Sequence, residues 1–386
     1  MLIKNKKQIF YWSPCLNPVG TIKSTINSIK SLQSYGNEEF DPYLINACGE
    51  WDEYENILLE NHIKLINFRI KFFSFLPKQG YFQSRFSYFL IFIFSFLPLT
   101  KLLATKKPDF LIAHLITSLP LIIMSIFNFK TKFVLRISGL PKLNYLRKFF
   151  WKRIANKIFK VTCPSLELKS SIQKKNIFKD DKLFFLPDAI IDIKDYINKK
   201  KENFEIENQF NRKKLIIATG RLTKQKNFSF LIDEFTMFCE SNNDFNLIIL
   251  GDGEERNKLE AQIKKKNMSE RVYLLGYTNN VYKYFKKGEI FILSSLWEEV
   301  GFVIVEAAIS NLFVISSDCN NGPKEFLNYG ENGLLFKSNK PNALKLALNK
   351  YLTLKNRDLF KLNLKKNSLK YTKFRHFLIL KEILNS

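Results

Sequence analysis

The sequence predicts an α/β protein of two doubly wound domains, each built on a mostly parallel sheet between helices. Its 386 residues exceed one ordinary domain and fit two. Apolar residues make up 46% of the chain, which is enough for two cores. In the C-terminal half, apolar runs of strand length alternate with helix-length segments that carry polar faces. That alternation is typical of a parallel sheet covered on both faces.

The second domain, predicted over 212–365, has the clearest strands. Its apolar runs lie at 215–218, 247–250, 272–275, 290–293 and 313–315. The first domain, predicted over 1–190, repeats the theme less regularly, with strand-like runs at 8–11, 43–45, 110–113, 133–136 and 158–161. Two such domains are expected to face each other across a cleft, because ligands of these sheets bind beyond the carboxyl ends of the strands.

The remaining segments are predicted to be a linker and a returning helix. Residues 191–211 are charged and irregular, with a run of three lysines at 199–201, and predict the linker. Residues 366–386 have the apolar spacing of a helix and are expected to cross back onto the first domain.

Cysteine usage and the N-terminal segment favour the cytoplasm. The five cysteines are scattered without close pairs, which suits a reduced compartment and argues against a disulfide framework or a zinc site. The first ten residues are rich in lysine and lack the apolar core of a signal peptide.

The formal charge of +25 leaves three interpretations open. Two are contact with nucleic acid and contact with anionic lipid. The third is a compositional bias of the genome, since the chain is rich in Lys, Asn, Ile and Phe throughout. No nucleic-acid-binding module is recognisable, and the lysines form no single stripe. We therefore expect no nucleic-acid partner.

The most hydrophobic stretch, 86–100, has two interpretations. As a helix its 15 uncharged residues would measure about 22 Å, short of the roughly 30 Å of a bilayer core, and Pro98 is expected to interrupt it. Basic residues flank the stretch, as in a segment that lies in the membrane interface. A buried helix of the first domain is the alternative.

The segment 294–327, SSLWEEVGFVIVEAAISNLFVISSDCNNGPKEFL, follows a predicted buried strand. Glu298 lies in the turn, and Glu306 comes eight residues later inside the next helix. The segment resembles the two-glutamate signature of family 4 retaining glycosyltransferases, in the variant where Trp-Glu-acidic precedes Gly-Phe. Its last twelve residues resemble the region that follows this signature in bacterial members that build surface polysaccharides and lipopolysaccharide.

This resemblance implies a GT-B fold and a sugar-nucleotide site in the second domain. Glu298 would accept hydrogen bonds from hydroxyls of the donor sugar, and Glu306 would reach the ribose diol. The N–H groups of Val300, Gly301 and Phe302 at the helix start would face the diphosphate, because a helix N-terminus attracts anions.

A second segment, GRLTKQKNF from Gly220, follows the first strand of the second domain. The family carries an Arg and a Lys here, so the resemblance gives Arg221 and Lys226 the task of neutralising the diphosphate leaving group. Two weaker elements are Tyr277, where the family places a loop that lines the base, and Gly20, where it has a glycine loop near the diphosphate.

The first domain departs from the family pattern. Many members carry a histidine after the strand at 133–136, and this chain has Ser138 there. His114 and Arg136 also lie at predicted strand ends and are candidates for the acceptor side. A hydrogen-bonded structural role is the competing interpretation for His114, and a merely solvated basic face is the competing interpretation for Arg136.

The sequence therefore predicts a retaining hexosyltransferase that moves a sugar from a nucleotide diphosphate, UDP favoured over GDP, to a hydroxyl of a lipid-linked or cell-surface glycan. No well-placed Asp-x-Asp site is present, so neither metal nor cofactor is expected. The enzyme is expected to be peripheral on the inner face of the cytoplasmic membrane. The alternatives are a sugar-nucleotide epimerase on the same fold and a basic nucleic-acid-binding protein.

Overall fold

The computed structural model describes residues 5–15, 20–68, 70, 72–76, 81–114, 117–141, 143–202, 213–319 and 322–386. The chain divides into two compact units. The first comprises Met1–Ala189 together with Lys373–Ser386, and the second is Ile190–Thr372.

Two parallel sheets form the centres of the two units. The strands are β1 (Lys7–Trp12), β2 (Phe40–Asn46), β3 (Lys64–Asn67), β4 (Phe110–Ala113), β5 (Lys132–Arg136), β6 (Ile158–Cys163), β7 (Leu183–Phe185), β8 (Lys214–Thr219), β9 (Phe245–Leu250), β10 (Val272–Gly276), β11 (Gly288–Leu293), β12 (Phe313–Ser317) and β13 (Leu334–Phe336). The order is β3-β2-β1-β4-β5-β6-β7 in the first unit and β10-β9-β8-β11-β12-β13 in the second.

Helices cover these sheets. They are α1 (Gly20–Tyr35), α2 (Glu55–Glu60), α3 (Tyr81–Lys106), α4 (Ser118–Ile126), α5 (Tyr145–Ile154), α6 (Leu166–Gln173), α7 (Ile193–Lys201), α8 (Phe228–Cys239), α9 (Arg256–Lys265), α10 (Tyr282–Phe285), α11 (Phe302–Ile309), α12 (Gly322–Phe326), α13 (Ala343–Thr353), α14 (Arg357–Ser368) and α15 (Lys373–Asn385). Each sheet buries apolar side chains on both faces, which is why its strands are continuous apolar runs.

In the first unit, α3 to α6 pack on one face of the sheet, and α1, α2 and α15 pack on the other. The C-terminal helix belongs to this unit, as the sequence predicts. Its residues Phe377, Leu380 and Ile383 share a core with Ile29 and Leu32 of α1. The apolar spacing of the last residues is therefore the packing face of a helix.

The predicted linker is partly wrong, because residues 193–201 form α7 in the second unit. The Asp192 carboxylate caps this helix by accepting from the N–H groups of Lys194 and Asp195. The lysine run at 199–201 forms its last turn, where cations interact favourably with the helix dipole. The charged segment 193–201 is therefore a capped helix. Residues 203–212 of the predicted linker lie outside the described part of the chain.

The expected interruption at Pro98 is also wrong, because α3 continues through this residue to Lys106. Its length and composition make it the one helix of the described residues that is long and apolar enough to cross a membrane. Only 28% of its most apolar window is buried. The interpretation of 86–100 as a buried helix is therefore only partly right, since one side of α3 packs on the protein and the other is exposed. The interpretation as a segment in the membrane interface stays a prediction.

Candidate functional site

The candidate site lies where the strand order of the second sheet reverses. Strands β8 and β11 are hydrogen-bonded neighbours at the centre of this sheet, and the helices that follow them, α8 and α11, pack in separate cores on its two faces. Arg221 and Lys226 follow β8, whereas Glu298 and Gly301 follow β11. In open α/β sheets such a switch point, at the carboxyl ends of the strands, is where ligands bind.

Lys226 and Glu298 form a largely buried ion pair at this point. Lys226 Nζ lies 2.5 Å from Glu298 Oε1, and the Ser295 hydroxyl donates to the same oxygen at 2.7 Å. Within the described residues, Glu298 Oε2 has no hydrogen-bond partner. The pair therefore fixes the carboxylate through one oxygen and leaves the other able to accept from a ligand hydroxyl.

Hydrogen bonds also hold together the two loops that carry this pair. The Ser294 hydroxyl donates to the Lys226 carbonyl at 2.7 Å, and the Leu296 N–H donates to the Gln225 carbonyl at 2.8 Å. The Gln225 amide donates to the Trp297 carbonyl at 2.8 Å. These bonds position the ends of β8 and β11 as one surface, because each loop satisfies polar groups of the other.

Glycines allow close packing beneath the first loop. A Cβ atom on Gly220 would lie 2.9 Å from Lys226 Cε, so the lysine stem runs directly over this residue. A Cβ on Gly251, whose φ is +143°, would lie 1.9 Å from the Gly220 carbonyl oxygen. The turn after β9 therefore supports the turn after β8, and neither position accepts a side chain.

The start of α11 supplies backbone donors beside Glu298. Gly301 precedes this helix in the left-handed region, with φ +72°. Within the described residues, the N–H groups of Val300 and Gly301 donate to no acceptor. A helix start with unsatisfied N–H groups attracts an anion such as a diphosphate.

The start of α12 packs against the loop that precedes α11. The Gly322 N–H donates to the Glu299 carbonyl at 2.9 Å, and a Cβ on Gly322 would lie 2.3 Å from Val300 Cα. The Gly-Pro-Lys-Glu-Phe segment therefore supports the 299–301 loop by direct contact. Residues 320 and 321 lie outside the described part of the chain.

The other predicted donor-site residues lie around this centre. Arg221 is exposed, and within the described residues no carboxylate pairs with it. Tyr277 is exposed on the loop after β10, at the edge of the sheet. Glu306 is buried on α11. It lies near Tyr282, whose pKa is raised first by burial and second by the Glu306 charge.

Arg136 does not lie where a ligand phosphate could reach it, which corrects the prediction for this residue. It is 2% exposed and pairs with the Asp188 carboxylate. Asp188 also accepts from the Ser24 hydroxyl, and Arg136 donates to the Leu186 carbonyl at 3.3 Å. The strand end is therefore internal, and the guanidinium stabilises the fold.

His114 is also buried, beneath α1. Its Nδ1 lies 3.3 Å from the Thr25 hydroxyl, which in turn contacts the Ser13 hydroxyl at 3.0 Å. Burial lowers the pKa of His114 well below its usual value, and the Arg136 charge lowers it further. The imidazole is therefore neutral in the folded protein.

The remaining acceptor-side candidates are less constrained. Ser138 is half-buried beyond the end of β5. The predicted glycine loop covers residues 18–21, and its Gly20 is the first residue of α1. Residues 16–19 lie outside the described part of the chain.

Sequence reasoning missed several residues that position the site. Ser294, Ser295, Gln225 and Gly322 carry the bonds and close contacts described above. Their signal was weak, because serine, glutamine and glycine after a strand are common in turns. His376 was missed as well. It joins the Ser28 hydroxyl, 2.9 Å from its Nε2, to the Pro187 carbonyl, 2.6 Å from its Nδ1.

Comparison with known proteins gives the class. Residues 199–370 match the family described as glycosyl transferases group 1. An uncharacterized glycosyltransferase of Methanocaldococcus jannaschii is 35% identical over 254 residues, which are 59% of this chain and 60% of that protein. The N-acetylgalactosamine-N,N'-diacetylbacillosaminyl-diphospho-undecaprenol 4-alpha-N-acetylgalactosaminyltransferase of Campylobacter jejuni is 29% identical over 226 residues, which are 56% of this chain and 60% of that protein.

A solved structure extends the likeness of fold over the whole chain. The crystal structure of a glycosyltransferase from Rickettsia africae superposes with a TM-score of 0.77 at 17% identity, covering 99% of this chain and 100% of that one. The chain has the GT-B fold, as the sequence predicts, and residues 199–370 are similar to the group 1 glycosyltransferases. It spans 60% of the length of the two curated relatives named above.

Proposed function

We propose that the protein is a retaining glycosyltransferase that transfers a sugar from a nucleotide diphosphate to a hydroxyl of a lipid-linked or cell-surface glycan. One observation carries this proposal. The Lys226–Glu298 pair lies at the switch point of the second sheet, beside the helix start at Val300 and Gly301. This arrangement combines a carboxylate for sugar hydroxyls with positive charge for phosphates.

The chain's own groups would meet the charge of the departing diphosphate. Arg221 is an exposed cation, the Lys226 stem packs on Gly220, and the N–H groups of Val300 and Gly301 lie at the start of α11. Such preorganised donors stabilise charge that develops during bond breaking. We therefore propose that transfer proceeds without a divalent metal ion.

Retention is the finer part of the proposal and rests on the resemblance to family 4. In that family the departing phosphate is thought to deprotonate the incoming hydroxyl on the same face of the sugar. Held by Arg221 and Lys226, a leaving phosphate would keep this position. Proton NMR of the product's anomeric centre would test it, because an inverted product would refute retention.

The acceptor is proposed to be membrane-held. The Campylobacter relative is named for action on a diphospho-undecaprenol-linked sugar. The excess of cations in this chain is complementary to a lipid diphosphate and to an anionic leaflet. We place the enzyme in the cytoplasm, peripheral on the inner face of the membrane.

Calorimetric titration tests the donor site directly. Purified protein is titrated with UDP, GDP and their common sugar conjugates, beside a Glu306→Ala variant. Saturable binding of one nucleotide series, UDP expected, and weaker binding by the variant would support the proposal. Binding of oligonucleotides without any binding of nucleotide sugars would refute it.

Chelation tests the metal-independent step. We expect transfer to continue unchanged after treatment with EDTA. Loss of activity that manganese restores would contradict this part of the proposal.

A further inference from the structure

Helix α3 is apolar on its exposed side as well as its buried side, unlike an ordinary surface helix of a globular protein. The side that packs on the protein carries a stripe of fully buried residues, two of them serines: Ser87, Ile91, Ser95, Leu99 and Leu103. Within the described residues, Ser95 Oγ has no hydrogen-bond partner. A helix that faces water normally buries its apolar side and exposes its polar one.

The opposite side of α3 exposes large apolar side chains over almost three turns. This apolar row consists of Phe86, Phe89, Ile93 and Leu97, with Phe94 beside it. Leu97 is 74% exposed and Phe89 is 58% exposed. The row measures about 16 Å along the helix. An apolar row of this extent, opposite buried serines, indicates that the outer side of the helix faces an apolar phase.

The first turns of α5 form a second exposed group of the same kind. Tyr145, Leu146 and Phe149 are all more than half exposed. Four cations lie on the same short helix, Arg147, Lys148, Lys152 and Arg153, and it has no acidic residue. Large apolar side chains mixed with Lys and Arg are typical of helices that lie in the interface of an anionic membrane.

Both groups lie on the same side of the first unit. Helices α3 and α5 each contact α4 and share the core on one face of the sheet. Each helix follows a strand of a parallel sheet and therefore begins at the carboxyl edge of that sheet. Ile91 accordingly packs with Cys48, just beyond the end of β2. The exposed residues thus gather near the carboxyl edge, where ligands of such sheets bind.

The charge of the chain is concentrated in this region. Between Glu60 and Glu167 the sequence contains 18 Lys and Arg residues and one acidic residue, Asp109. This region therefore carries +17 of the total +25. A genomic bias towards lysine would raise the charge throughout the chain, so composition alone does not explain the excess.

We propose that the apolar row of α3 and the first turns of α5 dock the first unit onto an anionic lipid bilayer, with α3 lying in the plane of the interface. The buried stripe runs from Ser87 to Leu103, so the helix remains packed on the protein along its length. Although α3 as a whole is long enough to cross a membrane, its uncharged part is only about 22 Å long, so a crossing would place charged residues inside the roughly 30 Å hydrocarbon core. This inference names the surface by which the protein would bind the proposed membrane, and it does not depend on the transfer reaction.

Vesicle flotation tests the apolar row. The probe is vesicles of phosphatidylcholine with 30% phosphatidylglycerol, beside pure phosphatidylcholine. We expect wild-type protein to float with the anionic vesicles, and the triple variant Phe89→Gln, Ile93→Gln, Leu97→Gln to lose at least tenfold in partitioning. The matched control is Leu346→Gln, Leu359→Gln, Leu362→Gln in the second unit, where the exposed fractions are 65%, 54% and 47%.

A second variant set tests the cations. Replacing Lys148, Lys152 and Arg153 with Gln should reduce binding to anionic vesicles at least tenfold at low salt, and less at high salt, because salt screens surface charge. Replacing Lys264, Lys265 and Lys286 with Gln, also exposed, removes the same charge from the second unit and should have a smaller effect.

Melting temperatures and calorimetric titration with the nucleotide donor show whether a variant that no longer binds vesicles is still folded. All variants replace exposed residues, so they should melt within a few degrees of wild type and bind the nucleotide donor equally. Equal flotation of the apolar-row variant and wild type would overturn the inference. So would a wild-type dimer that the variant converts to a monomer without any vesicle binding. Absence of nucleotide binding by the wild-type protein would instead refute the proposed transferase function, independently of the result of vesicle flotation.

Discussion

Each unit places charged side chains after the central strands of its sheet, but the two units use them differently. In the second unit, Lys226 and Glu298 form a largely buried pair at the switch point, with 15% and 10% of their side chains exposed, and loop-to-loop hydrogen bonds hold them. In the first unit, the Arg136 cation at the end of β5 and the neutral His114 after β4 are more deeply buried, at 2% and 5% exposed.

The reason for the difference lies in the partners. Asp188 neutralises Arg136 within the first unit, whereas Arg221 has no carboxylate partner in the described part of the chain. A cation at a strand end can therefore bind a ligand only where the fold leaves it accessible and without a carboxylate partner. For the two arginines, burial and pairing therefore separate the structural role of Arg136 from the candidate binding role of Arg221.

The largest effect is expected from Arg136→Met. Removing one partner of a buried pair leaves the Asp188 charge uncompensated, which costs about 3–5 kcal/mol of unfolding free energy. Urea unfolding followed by tryptophan fluorescence measures it well, since Trp12, Trp51 and Trp151 lie in the first unit. The more exposed ion pairs of Arg256 with Asp252 and Glu260 give the control, where Arg256→Met should cost less than about 1 kcal/mol. Equal costs would contradict the comparison.

The second effect is on turnover and comes from Lys226→Met. Loss of one preorganised donor to the leaving group should reduce kcat by about 10²–10³-fold. Its melting temperature should fall less than that of Arg136→Met, because Lys226 is partly exposed. The matched control is Lys224→Met, an exposed lysine in the same loop. If Lys226→Met lost stability and kept its turnover, Lys226 would have a structural role and no role in transfer.

The third effect is a dependence of stability on pH from His376. Burial lowers its pKa to about 4, opposed by the bond to the Pro187 carbonyl, while the Arg136 charge lowers it further and Asp188 raises it. Between pH 6.5 and about 4 the unfolded chain therefore binds a proton that the folded chain does not. Stability is lost as pH falls through this window, by about 3 kcal/mol at its lower end.

His376→Gln isolates this contribution from that of other groups. Gln keeps a donor and an acceptor but does not titrate, so the variant should lose less stability than wild type between pH 7.5 and 4.5. Urea midpoints at both pH values measure the difference. An unchanged pH slope would show that His376 does not contribute.

The smallest effect is expected from Gly322→Ala. The added Cβ would displace the 299–301 loop, because the nearest atom is backbone. We expect donor affinity to fall about tenfold, equivalent to about 1.4 kcal/mol. Gly333→Ala is the control, since its Cβ would lie 2.8 Å from the Val314 carbonyl oxygen, away from this loop. Both variants should lose stability, and only Gly322→Ala should lose affinity for nucleotide.

Local sequence was sufficient for the periodic elements. The apolar runs at 215–218 and 290–293 became β8 and β11, since a strand buried on both faces must be apolar throughout. The charged segment at 193–201 was misread as linker, because its cap and dipole interactions stabilise a helix with few apolar residues. Pro98 did not end α3, because tertiary packing overrode a local preference.

By itself the sequence determined the class of fold, the strand that precedes each candidate residue and the family to which the signature belongs. Those properties follow from periodicity and from short motifs, which are local in the chain. Only the tertiary structure decided that Arg136 is internal, that Ser295 and Lys226 share one oxygen of Glu298, and that α3 buries serine and exposes phenylalanine. Burial and pairing depend on residues distant in sequence, and no local pattern encodes them.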